Sequence, residues 1–247
     1  MTGASAGIGA ALARYYAGEG WTLGLFARRK ALLEDLASSL APATVACYGG
    51  DVREPDDLAR AAADFVTRWG VPDLVIANAG VSFGTLTDFA EDHAGFAEIF
   101  AVNVLGLPHT FQPFLQAMRE RGQGTLVGIA SVAGFRGLPG AGAYSASKAA
   151  AITYLESLRV ELSRSGLRVL TVCPGYVDTA MTERNPYSMP FLLSADQAAR
   201  RIARGIARRK RYYVLPWQMA LVGWALRHLP RAVYDRAFAG APHKPRK

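Results

Sequence analysis

The chain has 247 residues, 51% hydrophobic and 19% charged, which is enough apolar mass for one globular domain of the larger kind or one domain with a small appendage. No apolar run approaches the roughly 20 residues that span a bilayer, and no charged region followed by an apolar one opens the chain, so a cytoplasmic protein is expected. The two cysteines, Cys47 and Cys173, each close an apolar run; they read as inert core thiols, and no metal site is expected.

Thr2-Gly3-Ala4-Ser5-Ala6-Gly7-Ile8-Gly9 comes first, followed by the alanine-rich helical pattern Ala10 to Gly18. Glycines at that spacing let a backbone turn tightly and approach a pyrophosphate, while amides at a helix start offer donors to the anion. Such a loop normally follows a strand, and only Met1 precedes Thr2. The expectation is that the natural product carries further apolar residues upstream, and that without them the edges of two neighbouring strands stay unpaired around a slot in the core. Trp21 to Ala27 reads as a strand ending in Arg28-Arg29-Lys30. Dinucleotide sites place an acid near such a strand end for a ribose diol, or an arginine for a 2′-phosphate. Arg28 and Arg29 with no acid beside them favour NADP(H) as cofactor, with NAD(H) as the alternative.

Ala31 to Leu40 is a short helix, Ala43 to Tyr48 a strand, and Pro55 to Trp69 a helix opened by Asp56 and Asp57. Between them, Asp51 is a candidate acceptor for an adenine amino group and Val52 a candidate apolar contact to its ring. Asp73 to Ala77 reads as another strand, ending in the small-residue turn Asn78-Ala79-Gly80. Strands and helices alternating with short connections are the pattern of an α/β fold, a doubly wound parallel sheet of the Rossmann type. Asp92 to Arg121 is helical in pattern, interrupted near Asn103 and Pro108. Asn103 among apolar neighbours needs partners, either backbone carbonyls at a kink or a water beside Lys148.

Gly124 to Ser131 reads as a buried strand, and a hydroxyl at its carboxyl end sits where open α/β sheets bind ligands. A helix then runs from Tyr144 to about Ser165, with Lys148 one turn after the tyrosine on the same face. A free tyrosine has a pKa of about 10, so a neighbouring cation is needed to make it a proton shuttle near neutral pH. Leu167 to Cys173 is a strand that turns out through Pro174, Gly175, Val177 and Thr179. Residues 180 to 194 form a candidate substrate loop, either a lid or a plain surface loop. A helix starts at Ser194-Ala-Asp196-Gln197, and Arg200, Arg204 and Arg208 share one face of it opposite Ile202 and Ile206. That face reads as solvated, with an anionic lipid, nucleic acid or acidic protein as the alternative; nucleic acid is not expected as a partner. After a short strand at Arg211 to Leu215, residues 216 to 247 form a helical appendage. Its stretch 216 to 231 either docks over the substrate cleft or, with Trp217, Trp224 and Arg227, touches a membrane surface. The tail from Ala241 to Lys247 is expected to be disordered.

Thr2-Gly3-x3-Gly7-Ile8-Gly9, Asn78-Ala79-Gly80, Asn103, Ser131, Tyr144-x3-Lys148 and Pro174-Gly175 stand in the order and spacing of the short-chain dehydrogenase/reductase family, which the chain resembles over nearly its whole length. The resemblance implies a single Rossmann-type domain over residues 1 to 247. It makes Tyr144 the general acid/base, Ser131 the residue that orients the substrate oxygen, and Lys148 the holder of the nicotinamide ribose that lowers the tyrosine pKa. Asn103 would anchor a proton-relay water. Gly3, Ser5, Gly7, Ile8 and Gly9 would face the pyrophosphate, Asp51 and Val52 the adenine, Asn78, Ala79 and Gly80 the riboses, and Pro174, Gly175, Val177 and Thr179 the nicotinamide. It also implies a homo-oligomer, with Ile152, Leu155, Leu158 and Leu162 as candidate contacts or, equally, core. The expected function is an NADP(H)-dependent oxidoreductase interconverting a hydroxyl and a carbonyl on an apolar small molecule. The rivals are a non-catalytic cofactor-binding regulator or scaffold and a membrane-surface reductase of lipid-like substrates.

Overall fold

The computed structural model describes residues 1–183, 185 and 187–246. In the first third, α1 (Gly7–Gly18), β1 (Leu23–Ala27), α2 (Lys30–Ser39), β2 (Val45–Gly49), α3 (Pro55–Trp69) and β3 (Leu74–Ala77) alternate. Next come α4 (Asp92–Phe100), a π-helical turn (Ala101–Leu105), α5 (Gly106–Arg121), β4 (Gly124–Ile129), α6 (Gly142–Glu161) and β5 (Leu167–Pro174). The chain closes with β6 (Val177–Asp178), β7 (Leu193–Ser194), α7 (Ala195–Ala207), β8 (Tyr212–Leu215), α8 (Trp217–His228) and α9 (Arg231–Phe238).

Strands β3, β4, β5 and β8 pair in parallel in that order, and β1 pairs in parallel with β2 as a separate ribbon. Met1 and Thr2 join the two. Phe26 N donates to Met1 O at 2.9 Å on one side, and Thr2 N donates to Ile76 O at 3.0 Å on the other. Alongside them a cavity of about 550 Å³ opens between β1 and β3, walled by Tyr16, Trp21, Phe65, Trp69 and Phe114. This is the slot expected where no strand runs between those two edges.

Side chains alternate between the two faces of the sheet. Ile76, Val127 and Leu170 pack on one side with Leu12 of α1 and Ile202 of α7, while Val75, Leu126 and Val169 pack on the other with Phe111 of α5 and Leu155 of α6. Pro55 stands at the first turn of α3 with Asp56 and Asp57, where a missing donor costs nothing and carboxylates complement the helix dipole. At α7 the expected start is a full capping box, Ser194 accepting from Gln197 N and Gln197 returning to Ser194 N, worth about 1 kcal/mol.

Two expectations are sharpened and two change. The interruption expected near Asn103 is a π-helical turn, and Pro108 follows it on a continuous helical path. Helix α6 stops at Glu161, short of Ser165. Leu155, Leu158 and Leu162 are core side chains with Ile152 packed against them, so they are spent inside the molecule rather than on a second copy. The tail, expected to be disordered, lies along the 84–92 segment: Gly84 N donates to Pro245 O at 2.7 Å, and Arg246 pairs with Glu91 and Asp92 at 2.8 and 2.9 Å. Lys247 at its end, and Arg184 and Pro186 in the expected loop 180–194, lie outside the described residues. Both cysteines are free thiols, and burial pushes Cys173 up to about 11. Among the described residues no helix is long and apolar enough to cross a membrane, and no cluster suited to a metal ion occurs.

Candidate active site

The strand order reverses at Met1–Thr2, with every strand parallel, and a cleft of about 350 Å³ opens there beyond the carboxyl ends of the strands. Gly3, Ser5, Gly7, Ile8, Arg28, Arg29, Asp51, Val52, Asn78, Ala79, Gly80, Ser131, Tyr144, Lys148, Pro174, Gly175, Val177 and Thr179 all line it. Gly9 and Asn103 lie behind the wall.

The glycine turn is pinned from below. Thr2 Oγ1 accepts from the amides of Asn78 and Ala79, and Asn78 Nδ2 donates to the carbonyls of Thr2 and Gly3 at 3.2 and 3.1 Å. Asn78 therefore spends its amide holding the turn. Gly9 serves the same turn by packing: a Cβ there would lie 2.2 Å from Gly3 O, so the helix start and the turn can meet only at a glycine. Arg28 and Arg29 are exposed at the end of β1, and the only carboxylate among the lining residues is Asp51. The Asp51 carboxylate accepts from Arg53 at 2.7 Å. Burial pushes its carboxyl up, but the hydrogen bonds and charge of Arg53 outweigh that and hold it below the usual carboxylate range. Val52 is buried, and its carbonyl bonds His109 Nδ1 at 2.9 Å.

At the other end, β4 delivers Ser131 and α6 delivers Tyr144 and Lys148. Ser131 Oγ accepts from Ala133 N at 3.1 Å. Lys148 is buried and donates to Ile129 O at 2.9 Å, with Nζ 5.8 Å from the centre of the Tyr144 ring. Burial lowers its ammonium to about 8, so it keeps its charge near neutrality. Burial also raises the Tyr144 phenol above its ordinary value, while a hydrogen bond with Ser131 pulls the other way. The Lys148 ammonium bonds a carbonyl here, and desolvation is the larger influence on the phenol. Asn103 accepts from Val81 N at 2.9 Å and donates to Val81 O and Ser147 Oγ, both at 3.0 Å. Gly80 threads between its Oδ1 and Lys148 Nζ, where a Cβ would stand 3.3 and 3.6 Å from the two. Of the alternatives open for Asn103, backbone partners at a helix irregularity are present.

Beside the phenol are residues that no motif singled out. Strands β6 and β7 pair and pin both ends of the loop that begins at Thr179. Met181 and Thr182 of that loop line the cleft. Lys244, from the tail, places its ammonium 5.6 Å from the centre of the Tyr144 ring. A Pro-rich basic terminus carries no periodicity that would reveal this. Helix α8 docks through Met219 against Gly175 and through Gly223 against Phe135. Arg136 donates to the carbonyls of Leu226 and Leu229 at 2.8 and 2.9 Å and lies over the Tyr234 ring. The appendage thus packs on the loop after Ser131 and against Gly175.

Residues 1–188 match the model of the short chain dehydrogenase family. An uncharacterized oxidoreductase of Myxococcus xanthus is 38% identical over 239 residues, covering 96% of this chain and 94% of that one. Among solved structures, a short chain dehydrogenase/reductase of Burkholderia phymatum in complex with NAD superimposes with a TM-score of 0.84 at 26% identity, covering 100% of this chain and 96% of that one. A short chain dehydrogenase of Burkholderia cenocepacia in complex with NADP does so at 0.82 and 26%, covering 95% and 94%.

Proposed function

The chain belongs to the short-chain dehydrogenase family and is an oxidoreductase that uses a nicotinamide cofactor, and from that premise we propose that it interconverts a carbonyl and a hydroxyl group on a largely apolar small molecule with NADP(H), Tyr144 serving as general acid and base. The observation that carries this reading is the convergence of Ser131, Tyr144 and Lys148 on the same cleft that holds the glycine turn and Arg28 and Arg29.

The residues present suit the cofactor. Gly3 to Ile8 offer backbone amides at the start of α1 for a pyrophosphate. Arg28 and Arg29 suit a 2′-phosphate, and Asp51, tied to Arg53, is poorly free to take a ribose diol. Bound there, the cofactor supplies or accepts a hydride. The protein manages the oxygen. As negative charge grows on a substrate carbonyl oxygen, the Ser131 hydroxyl donates to it and the Tyr144 phenol gives up its proton. A phenol raised by burial carries its proton near neutral pH but is a weaker acid for it, a cost that the Ser131 hydroxyl and the Lys148 ammonium offset as the phenolate forms. The Lys148 ammonium stabilises the phenolate left behind. Asn103 retains one Oδ1 lone pair beyond its three bonds, which suits it to hold a water that returns a proton to the site.

The test is NADPH oxidation across a panel of aldehydes and ketones, with NADH beside it. Tyr144→Phe should lose about 10² to 10⁴ in kcat while still binding NADPH. Undiminished turnover in that variant would remove the mechanism, whereas NADPH binding without oxidation across the whole panel would favour the scaffold rival.

A second reading concerns where the enzyme works. Trp217, Leu221 and Trp224 project from one face of α8 at 66%, 61% and 65% exposure, with Arg227 and Arg231 close behind, a composition that suits an anionic lipid surface. Co-sedimentation with phosphatidylserine-containing liposomes should occur and be lost in Trp217→Ala/Trp224→Ala; equal sedimentation of the two proteins would exclude the contact.

A further inference from the structure

The tail brings a second lysine to the catalytic phenol. Lys244 Nζ is as near the Tyr144 ring as Lys148 Nζ is, 5.6 against 5.8 Å. It donates to Ser82 Oγ at 2.8 Å and reaches Met181 O at 3.5 Å, so it spans the mouth of the cleft between the segment after Gly80 and the start of the loop. Both partners are neutral. Among the described residues no carboxylate pairs with Lys244; the acids that the tail reaches, Glu91 and Asp92, are taken by Arg246. An ammonium has three donors, and here one is well used, one makes a long contact and one is left. The group is half-buried, and burial lowers it to about 8. Nor is it a freely swinging surface lysine, because Pro245 and Arg246 anchor the backbone next to it on Gly84 and Asp92.

A cation fixed in a partly dry place without a counter-ion is costly, and an arriving anion offsets that cost. We propose that Lys244 is a specificity-determining residue that pairs with an oxyanion on the substrate, a carboxylate or a phosphate, carried near the reacting carbonyl. The proposal rests on the reading of Tyr144 as the acid of a carbonyl reduction, and it narrows that substrate to a molecule whose apolar body ends in one negative group. Ser82 assists by holding the ammonium at the mouth when the anion is absent.

Matched pairs test this: ethyl levulinate against levulinate for a carboxylate, and hydroxyacetone against hydroxyacetone phosphate for a phosphate. For each compound the dissociation constant from the NADP⁺-loaded enzyme is measured by titration calorimetry, and kcat/KM is measured with NADPH. The wild-type chain should favour the anionic member of at least one pair by about tenfold or more, and which pair shows it identifies the anion. Lys244→Met should abolish that ratio through KM rather than kcat, and Lys244→Arg should restore most of it. Lys244→Gln, which keeps a donor for Ser82, should behave as Lys244→Met does. Equal affinity for both members of both pairs in the wild type overturns the proposal, as does failure of every probe to bind. It is also overturned if Lys244→Met weakens neutral and anionic members alike, the signature of a tail that merely packs. None of these results touches Tyr144, whose role falls only if Tyr144→Phe reduces ethyl levulinate as the wild type does.

Discussion

The two ends of the cleft are built differently. The dinucleotide end is made of backbone: a glycine turn held by Thr2 and Asn78, on strands whose order reverses beneath it. The other end, where the proposed substrate would sit, is made of side chains from segments far apart in the chain, Met181 from the loop, Tyr144 from α6 and Lys244 from the tail, the last fastened by single hydrogen bonds and a neighbouring surface ion pair. The first arrangement is rigid and serves any substrate. The second can change with few substitutions and without disturbing the cofactor, which separates chemistry from choice of substrate.

If that contrast is sound, damage at the backbone end should be the more severe. Gly9→Ala drives a Cβ into Gly3 O, a neighbour with no freedom to move. We expect it to weaken NADPH binding, read by fluorescence titration, by about a hundredfold and to cost about 1–3 kcal/mol of stability. Wild-type binding in this variant would break the comparison. Arg28→Ala/Arg29→Ala leaves the turn intact and should raise the NADPH dissociation constant about 10- to 100-fold, with that of NADH little changed. A parallel loss for both cofactors would instead make the arginines general phosphate contacts.

The pH profile sharpens the division within the catalytic end. The Lys148 ammonium, lowered by burial to about 8, is charged below that pH and neutral above it. Reduction of a neutral ketone should be level from pH 6 to 7 and fall above 8 by up to about tenfold per unit. Lys244 is also lowered to about 8, so the profile is measured in Lys244→Met as well, where the fall should persist if Lys148 causes it. The smallest effect is expected at the edge of the substrate end. Arg246→Ala frees the tail from Glu91 and Asp92 and should raise ketone KM about threefold with kcat nearly constant, while limited proteolysis cuts the tail sooner. An unchanged KM would show that the tail does not shape the mouth.

Much of this was legible in the amino-acid order, for a definite reason. The α/β alternation, the Gly3–Gly9 turn opening a helix, and Tyr144 one turn before Lys148 are properties of single elements, whose periods fix which residues face together. What depended on distant partners was not legible. The pairing of Asp51 with Arg53 had no signal in the residue order, the apolar positions of α6 suited an interface or a core equally, and the tail had no pattern from which its docking could be read. Ser82 and Lys244 are 162 positions apart in the chain, and Asp92 and Arg246 are 154 apart. Local sequence determined the elements and the residues capable of chemistry; only tertiary packing decided which charges are paired, which cations are left without a partner, and therefore what the mouth of the cleft selects, because desolvation and ion pairing belong to assembled surfaces rather than to any one segment.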